Sequence, residues 1–285
     1  MKFINKFRIG YWNVGVIQKS IDSIMSDEPY EIRWMKHHYK DRFFADPFLY
    51  RQDETYYYIF AEELIFTKKK GTIVLLKVNK KTMRLVKRED VIVDQYHLSY
   101  PFLDDGSVVA ENYKSGYLSR FMFESNGVKK TKILDIPVID PTLVEYQGEK
   151  WLFGTTKEQE IDSNRKLSIF KEKNGEFVPH IKNPVKVSIN SARPGGHFFW
   201  YKGELYRPAQ NCEHLYGEDI QIMRIKQLDE IDFSEEYVKT ISSHSLDRYN
   251  LGLHTFNVYD GCAVVDGFER SVQIMQRIIN KLAGC

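Results

Sequence analysis

The stretch Ala45-Asp46-Pro47-Phe48-Leu49-Tyr50-Arg51-Gln52-Asp53-Glu54-Thr55-Tyr56-Tyr57-Tyr58-Ile59-Phe60-Ala61-Glu62-Glu63 holds the pattern that decides the fold. A polar residue and a proline lead into an apolar strand, a polar turn follows, a second strand returns, and the exit is polar again. The same phase recurs four more times. Ser99-Tyr100-Pro101 runs through Asp105-Gly106 to Ala110-Glu111-Asn112, and Ile139-Asp140-Pro141 through Gln147-Gly148 to Thr155-Thr156-Lys157. Arg193-Pro194-Gly195-Gly196 runs through Lys202-Gly203 to Pro208-Ala209-Gln210, and Leu253-His254-Thr255 through Asp260-Gly261 to Val265-Asp266-Gly267. Turns about 40 to 60 residues apart leave room for four strands per unit, the size of a propeller blade.

The remaining pattern agrees. Thr55–Phe60, Thr72–Val78, Lys150–Phe153, Leu167–Phe170 and Ile220–Ile225 read as short strands. Asp105-Gly106, Asn126-Gly127, Asn174-Gly175 and Asp260-Gly261 are hairpin signals. Only Ile17 to Met25 and Val272 to Leu282 carry helical spacing, and each is expected to form an amphipathic helix over a strand edge. The expectation is an all-β, five-bladed propeller with short terminal helices, in one domain over residues 1–285. Its blades fall at roughly 40–95, 96–138, 139–190, 191–245 and 246–270, the last closing with the N-terminal segment. A plain β-sandwich is the alternative.

Composition excludes several classes of protein. The 285 residues are 42% hydrophobic and 28% charged, which excludes disorder. No apolar run approaches the roughly 20 residues of a spanning helix, so the chain is not expected to cross a membrane. A net charge of +2 gives no global attraction to nucleic acid. Cys212, Cys262 and Cys285 match neither a disulfide framework nor a zinc site, and the start lacks a signal-peptide pattern. A cytoplasmic location is expected.

In a propeller the inner strands line a central channel, so the polar ends of all five hairpins converge on one funnel. Asp46, His97, Ser99, Glu111, Asp140, Arg193, Arg207, Gln210, His254 and Asp266 arrive there in this way. Any one of them could simply cap a loop. Together, convergent carboxylates, an arginine pair and aromatics suit a sugar-binding or glycosyl-transferring pocket. Proline in Asp46-Pro47 and Asp140-Pro141 is expected at a strand's first residue, where its missing N–H costs nothing. One carboxylate would act as base or nucleophile and another as acid, from Asp46 and Asp140 with Glu111 or Glu62. Arg193 and Arg207 would hold a carboxylate or phosphate of the ligand, or else pair with Glu111 or Asp140. Ser191-Ala-Arg-Pro-Gly-Gly196 is not a phosphate loop, because no Lys-Ser/Thr and no helix pattern follow it. Its two glycines would allow close approach at the channel. Whether calcium or water fills that channel the pattern leaves open; no cofactor motif is present.

Phe44-Ala-Asp-Pro-Phe48, His97-Leu-Ser-Tyr-Pro101, Asp140-Pro141 with Trp151-Leu-Phe153, Arg193-Pro-Gly-Gly196, Arg207-Pro-Ala-Gln210, Tyr216-Gly217 and His254-Thr-Phe-Asn257 form a distinctive set. As a set they resemble the N-terminal domain family of glucosamine inositolphosphorylceramide transferases, over about residues 8 to 270. That family is similar in fold to the five-bladed arabinanases, xylosidases and fructan hydrolases. The resemblance implies that Asp46 is the base or nucleophile and Asp140 the transition-state stabiliser. Fructan hydrolases carry their general acid as Glu-Cys. Here Asn211-Cys212-Glu213 reverses the order, so Glu213 does not match and Glu111 or Glu62 takes the role. Glu62, His97, Ser99, Arg193, Arg207, Gln210, Tyr216 and His254 are the candidate substrate-binding residues. The resemblance also implies that the family's transferase chemistry belongs to a different domain. Two readings stand: an enzyme of glycosyl transfer or hydrolysis on a glycan or activated sugar, or a non-catalytic glycan-binding module serving a partner transferase.

Overall fold

The computed structural model describes residues 8–157, 159–243 and 248–272. From the N-terminus, β1 (Arg8–Ile17), helix α1 (Ile21–Met25) and β2 (Ile32–Trp34) come first. The next sheet is β3 (Arg42–Gln52), β4 (Tyr56–Ile65), β5 (Lys70–Asn79) and β6 (Leu85–Ile92). The second consists of β7 (Ser99–Asp104), β8 (Ser107–Glu111), β9 (Leu118–Glu124) and β10 (Gly127–Leu134). The third holds β11 (Ile139–Tyr146), β12 (Glu149–Thr155), β13 (Lys166–Lys173) and β14 (Glu176–Pro179), with β15 (Lys186–Val187) also on β13. The fourth holds β16 (Phe199–Tyr201), β17 (Glu204–Asn211), β18 (Asp219–Leu228) and β19 (Phe233–Ile241). The fifth starts with β20 (Phe256–Tyr259) and β21 (Cys262–Val272) and is completed by β1 and β2, in the order β20-β21-β1-β2. Five antiparallel sheets, each a meander from the inside outward, make a five-bladed propeller.

Period-2 alternation explains why the sheets pack face to face in a ring. On β4, Tyr57, Ile59 and Ala61 face the last blade, and Phe60 faces blade two. On β21, Val264 faces blade one, and Ala263 and Val265 face blade four. Each of the five seams between blades carries one buried apolar cluster. The inner hairpins of blades two, three and four turn on Asp105-Gly106, Gln147-Gly148 and Lys202-Gly203, with positive φ at both positions. That backbone matches the twist of the flanking strands.

The N-terminal segment departs from the expected helix. Ile17 is the last residue of β1 and pairs with Ala263, so the helix shrinks to Ile21–Met25. The Ser20 hydroxyl caps it by accepting from the Ser23 N–H, and Ile24 is buried in the seam between blades four and five. The expected helix over Val272 to Leu282 lies outside the described residues beyond Val272, which itself ends β21. Among the described residues, no helix is long and apolar enough to cross a membrane.

Closure of the ring rests on β1, which pairs with β21 over ten residues, from Arg8–Val272 to Ile17–Ala263. Ile17 is fully buried there. Ile17→Ala should lower the unfolding free energy by about 2–5 kcal/mol, the usual cost of a buried cavity of that size, read as a shifted midpoint in urea.

Candidate functional site: a ring of buried acids at the propeller axis

Asp46, Tyr100 and Asp140 occupy the same place on the inner strands of blades one, two and three. Each precedes a proline and has φ between 47° and 50°. At each, the ladder to the next strand is interrupted, between Ala45 and Phe48, Ser99 and Phe102, and Ile139 and Thr142. The prolines therefore sit inside bulges and not at the first residue of a strand, which corrects the expectation from sequence. A bulge tolerates the missing N–H, and the left-handed residue before it turns its side chain out of the pleat. Non-glycine residues hold such angles only where the surroundings enforce them.

The surroundings are a set of hydrogen bonds running from blade to blade. The Asp46 N–H donates to Asp266 Oδ2 (3.0 Å), and the Thr255 hydroxyl to Asp46 Oδ1 (3.1 Å). The Tyr100 N–H donates to Asp46 Oδ2 (3.1 Å), and Tyr100 Oη lies 2.9 Å from Thr142 Oγ1. The Asp140 N–H donates to Glu111 Oε2 (3.2 Å). Asp140 in turn accepts from Arg193 Nε (2.6 Å) and Gln210 Nε2 (2.6 Å). Blade four joins blade five through the His197 N–H, which donates to Asn257 Oδ1 (2.6 Å), and the Phe256 N–H, which donates to the Gly195 carbonyl (2.7 Å). The close approach there needs Gly196: an added Cβ would lie 2.1 Å from the Phe256 carbonyl oxygen.

The second strands supply a further tier. Glu62 pairs with Ala45, Glu111 with Ser99 and Thr155 with Ile139. Gln210 occupies the matching place in blade four, its N–H donating to the Arg193 carbonyl. Asp266 does so in blade five, where it accepts from the N–H groups of His254 and Thr255, both at 3.0 Å. Asp46, Glu62, Asp140 and Asp266 are all buried. Burial, outweighing the help of His254, lifts the Asp46 carboxyl to about 6. Burial and then the neighbouring Asp140 lift Glu111 to about 8, against the pull of Arg193. Burial and the surrounding carboxylates push Glu62 well above the ordinary carboxylate range.

His254 touches Asp266 Oδ2 through Nδ1 (2.5 Å), faces Asp46 Oδ1 through Nε2 (3.5 Å), and stacks on Trp12 with ring centres 3.9 Å apart. Burial works against its charge, but Asp266 and Asp46 outweigh it and raise the imidazole above its usual value. Asp46, His254 and Asp266 each offer a ligand atom within 4.8 Å of the others, a set that could hold a cation. Their oxygens already accept the hydrogen bonds above. Calcium would also meet an imidazole where it prefers oxygen, so the trio fits a proton network better than a hard metal.

The other candidates fall into two groups. His97 accepts from the Gly71 N–H at Nδ1 (2.9 Å) and turns Nε2 to Glu62 Oε1 (3.3 Å); burial, with Lys114 nearby, lowers its imidazole below the usual value. Ser99 is buried opposite Glu111, and Tyr216 is exposed with the Arg193 guanidinium 5.0 Å over its ring. A cavity of about 300 Å³ opens beside this group, lined by His97, Glu111, Tyr113, Lys114, Lys157 and Arg193 among others.

Arg207 does not join it. Its guanidinium is fully buried, paired to Glu235 through Nε (2.8 Å) and Nη2 (2.6 Å), and it donates to the carbonyls of Ser191 and Ala192. The even-odd alternation of β17 turns it toward the strand's seam, so it is a structural cation and not a ligand contact. Its partner is Glu235, neither Glu111 nor Asp140. Sequence reasoning also passed over Trp12, Tyr113, Lys114 and Lys157. Tyr100 was within reach, since it precedes a proline in the same phase as Asp46 and Asp140.

Residues 33–256 match the family described as glucosamine inositolphosphorylceramide transferase 1, N-terminal. The chain belongs to that family. It is 30% identical to glucosamine inositolphosphorylceramide transferase 1 of Oryza sativa subsp. japonica over 209 residues, 69% of this chain and 28% of the relative. It is 31% identical to that of Arabidopsis thaliana over 228 residues, 75% of this chain and 29% of the relative. The chain thus spans under a third of the length of these plant relatives. In fold it is similar to an α-L-arabinofuranosidase from Lactobacillus brevis, with TM-score 0.53, 15% identity, and 81% and 85% of the two chains covered. It is also similar to a family 117 glycoside hydrolase of Zobellia galactanivorans, with TM-score 0.51, 11% identity, and 93% and 92% covered. At those identities the likeness speaks to fold alone.

Arg207→Ala would leave Glu235 buried with only Lys186, 2.7 Å away, as a partner. Stability should fall by about 3 kcal/mol in chemical denaturation, while glycan binding by the surviving folded protein should be unchanged.

Proposed function

We propose that the funnel is a glycan-processing site in which Glu111 supplies a proton and Asp46 removes one. The observation that carries this reading is the contrast between the two carboxyls. Glu111 borders the 300 Å³ cavity and holds its proton to about 8, whereas Asp46 is ionised above about 6. Two carboxyls driven apart in this way are the signature of an acid and a base in one site. As the bond from the sugar carbon to the leaving oxygen breaks, Glu111 protonates that oxygen. Asp46 takes the proton of the incoming hydroxyl, whether water or a sugar acceptor. Asp46 has the capacity, since each of its oxygens keeps a lone pair beyond the hydrogen bond it accepts. His254 Nε2 lies 3.5 Å from Asp46 Oδ1, where a raised imidazole helps hold the Asp46 carboxyl ionised.

The basic lining of the cavity, Lys114, Lys157 and Arg193, favours a sugar carrying phosphate or carboxylate. The plant relatives are named for transfer to an inositolphosphorylceramide. Lipid- or nucleotide-linked sugars are therefore the substrate class we favour for this chain. One observation supports a second reading, a binding module serving a partner transferase: Asp46 and Asp140 are only 4% and 2% exposed, and both hold the blades together.

Asp46→Asn separates these readings. Its amide oxygen can still accept from the Tyr100 N–H, and the Thr255 hydroxyl can turn to accept from the new amide, so the fold should survive. On a panel of nucleotide sugars and furanosides, turnover should drop at least about 100-fold with binding retained. Undiminished turnover would end the catalytic role of Asp46, and binding without turnover in the native protein would favour the module.

The pH profile offers an independent check. Activity should rise as Asp46 ionises near 6 and fall as Glu111 ionises near 8, limbs that belong to the coupled set of acids. Glu111→Gln should abolish the basic limb along with most of the activity. Because Glu111 is raised in the folded state, its contribution to stability is full below the ordinary carboxyl value and is lost as pH climbs through about 8. Unfolding midpoints should drift down over that range in the native protein and less in Glu111→Gln.

A further inference from the structure

A second cavity, of about 590 Å³, lies against β1, β2 and the chain that crosses from β2 to blade one; none of the ring acids lines it, and Trp12, which stacks on His254, is where it adjoins them. We propose that it binds a sugar unit bearing an anionic group, as a site separate from the funnel. Its walls include the partly exposed rings of Trp34 and Tyr39, of the kind that pack on the C–H face of a sugar ring, backed by the buried Trp12 and Tyr249, and its volume suits one or two such units.

Trp34 is built in. Its six-membered ring occupies a cradle left by two glycines: a Cβ on Gly15 would lie 2.7 Å from Trp34 Cζ3, and one on Gly267 2.3 Å from Cη2. Tyr249 flanks it, with ring centres 5.2 Å apart. Trp34 Nε1 is buried with no hydrogen-bond partner among the described residues, and so is His37 Nδ1 on the same wall. Two enclosed polar atoms without partners are costly unless something supplies them, and sugar hydroxyls can both accept from an indole N–H and donate to a neutral imidazole.

The charges on the rim favour an anion. Arg33 is spent on Gln18 and the carbonyls of Lys80 and Lys81, and Arg248 is held by both oxygens of Glu269. Lys36 and Lys40, both exposed, make no ion pair among the described residues. Glu31 on the same rim is likewise unpaired, which leaves two cations against one acid. A uronic acid and a phosphorylated sugar would satisfy the same lysines.

Calorimetry and tryptophan fluorescence with a galacturonate tetrasaccharide, glucose 6-phosphate and neutral cellotetraose test the site. At least one anionic probe should bind and quench, at least tenfold more tightly than cellotetraose, and which one binds identifies the anionic group. The double variant Lys36→Gln/Lys40→Gln should weaken it at least tenfold. Trp34→Phe, which removes the N–H donor together with the far edge of the indole that fills the glycine cradle, should weaken it several-fold. Glu111→Gln should leave it unchanged. The proposal is overturned if neither anionic probe binds, if cellotetraose binds as tightly, or if binding survives the lysine substitutions and disappears in Glu111→Gln. That last result would assign the ligand to the funnel, and failure here in any form leaves the funnel reading standing.

Discussion

The hydrogen bonds that run around the axis are the constraint on which the rest of this propeller depends. Seams of apolar side chains hold neighbouring blades together, but such packing is non-directional and would tolerate small slips. The polar ring does not. The Asp46 backbone donates to Asp266 of blade five while its carboxylate accepts from Thr255 of blade five and Tyr100 of blade two. One residue therefore fixes three blades, and it can do so only from the left-handed conformation that its bulge imposes. Asp140 repeats the arrangement between blades two, three and four.

Holding blades with carboxylates in a dry channel has an electrostatic consequence. Asp46, Glu62, Glu111, Asp140 and Asp266 lie close enough that each raises the proton affinity of others, while Arg193 and His254 are the cations among them. Low dielectric magnifies every term. The cluster relieves part of its charge by raising Glu111 to about 8 and Glu62 well above the ordinary carboxylate range, and a raised carboxyl suits the general acid of the proposed reading. On the proposed reading, the interaction that fastens the scaffold also prepares its chemistry.

The five-fold phase was legible in the sequence because strand alternation, X-Gly turns and X-Pro entries are local signals. Family membership was legible too, since it rests on short motifs in order. What the residues reach was not. Arg207 lies on β17, whose alternation turns it to Glu235, whereas Arg193 lies in the irregular stretch before β16 and meets Asp140. Proline marked Asp46 and Asp140 as equivalent positions but suggested a strand start, because a bulge is a relation between two strands and has no pattern in one. Trp12 comes from β1, far along the chain from His254, and only ring closure brings the two rings into contact. Ile17 read as helical for the same reason: its partner on β21 is about 250 residues away in sequence.

The symmetry of the scaffold and the asymmetry of its chemistry then have one origin. Blades one to three place Asp46, Tyr100 and Asp140 before their prolines, whereas blade four places Arg193 in that phase and blade five brings in His254. Anionic groups come mainly from one side of the ring and cationic groups from the other. Arg193 meets Asp140 across one boundary between the two halves, and His254 meets Asp46 across the other. Glu111 belongs to the acidic half, bonded to the Asp140 N–H, and reaches the cavity beside Lys114. On the proposed reading, a ligand there would turn its anionic end toward the lysines and its ether oxygen toward Glu111. Five near-equivalent strand ends give the pocket its shape, and the substitutions that break their equivalence give it a direction.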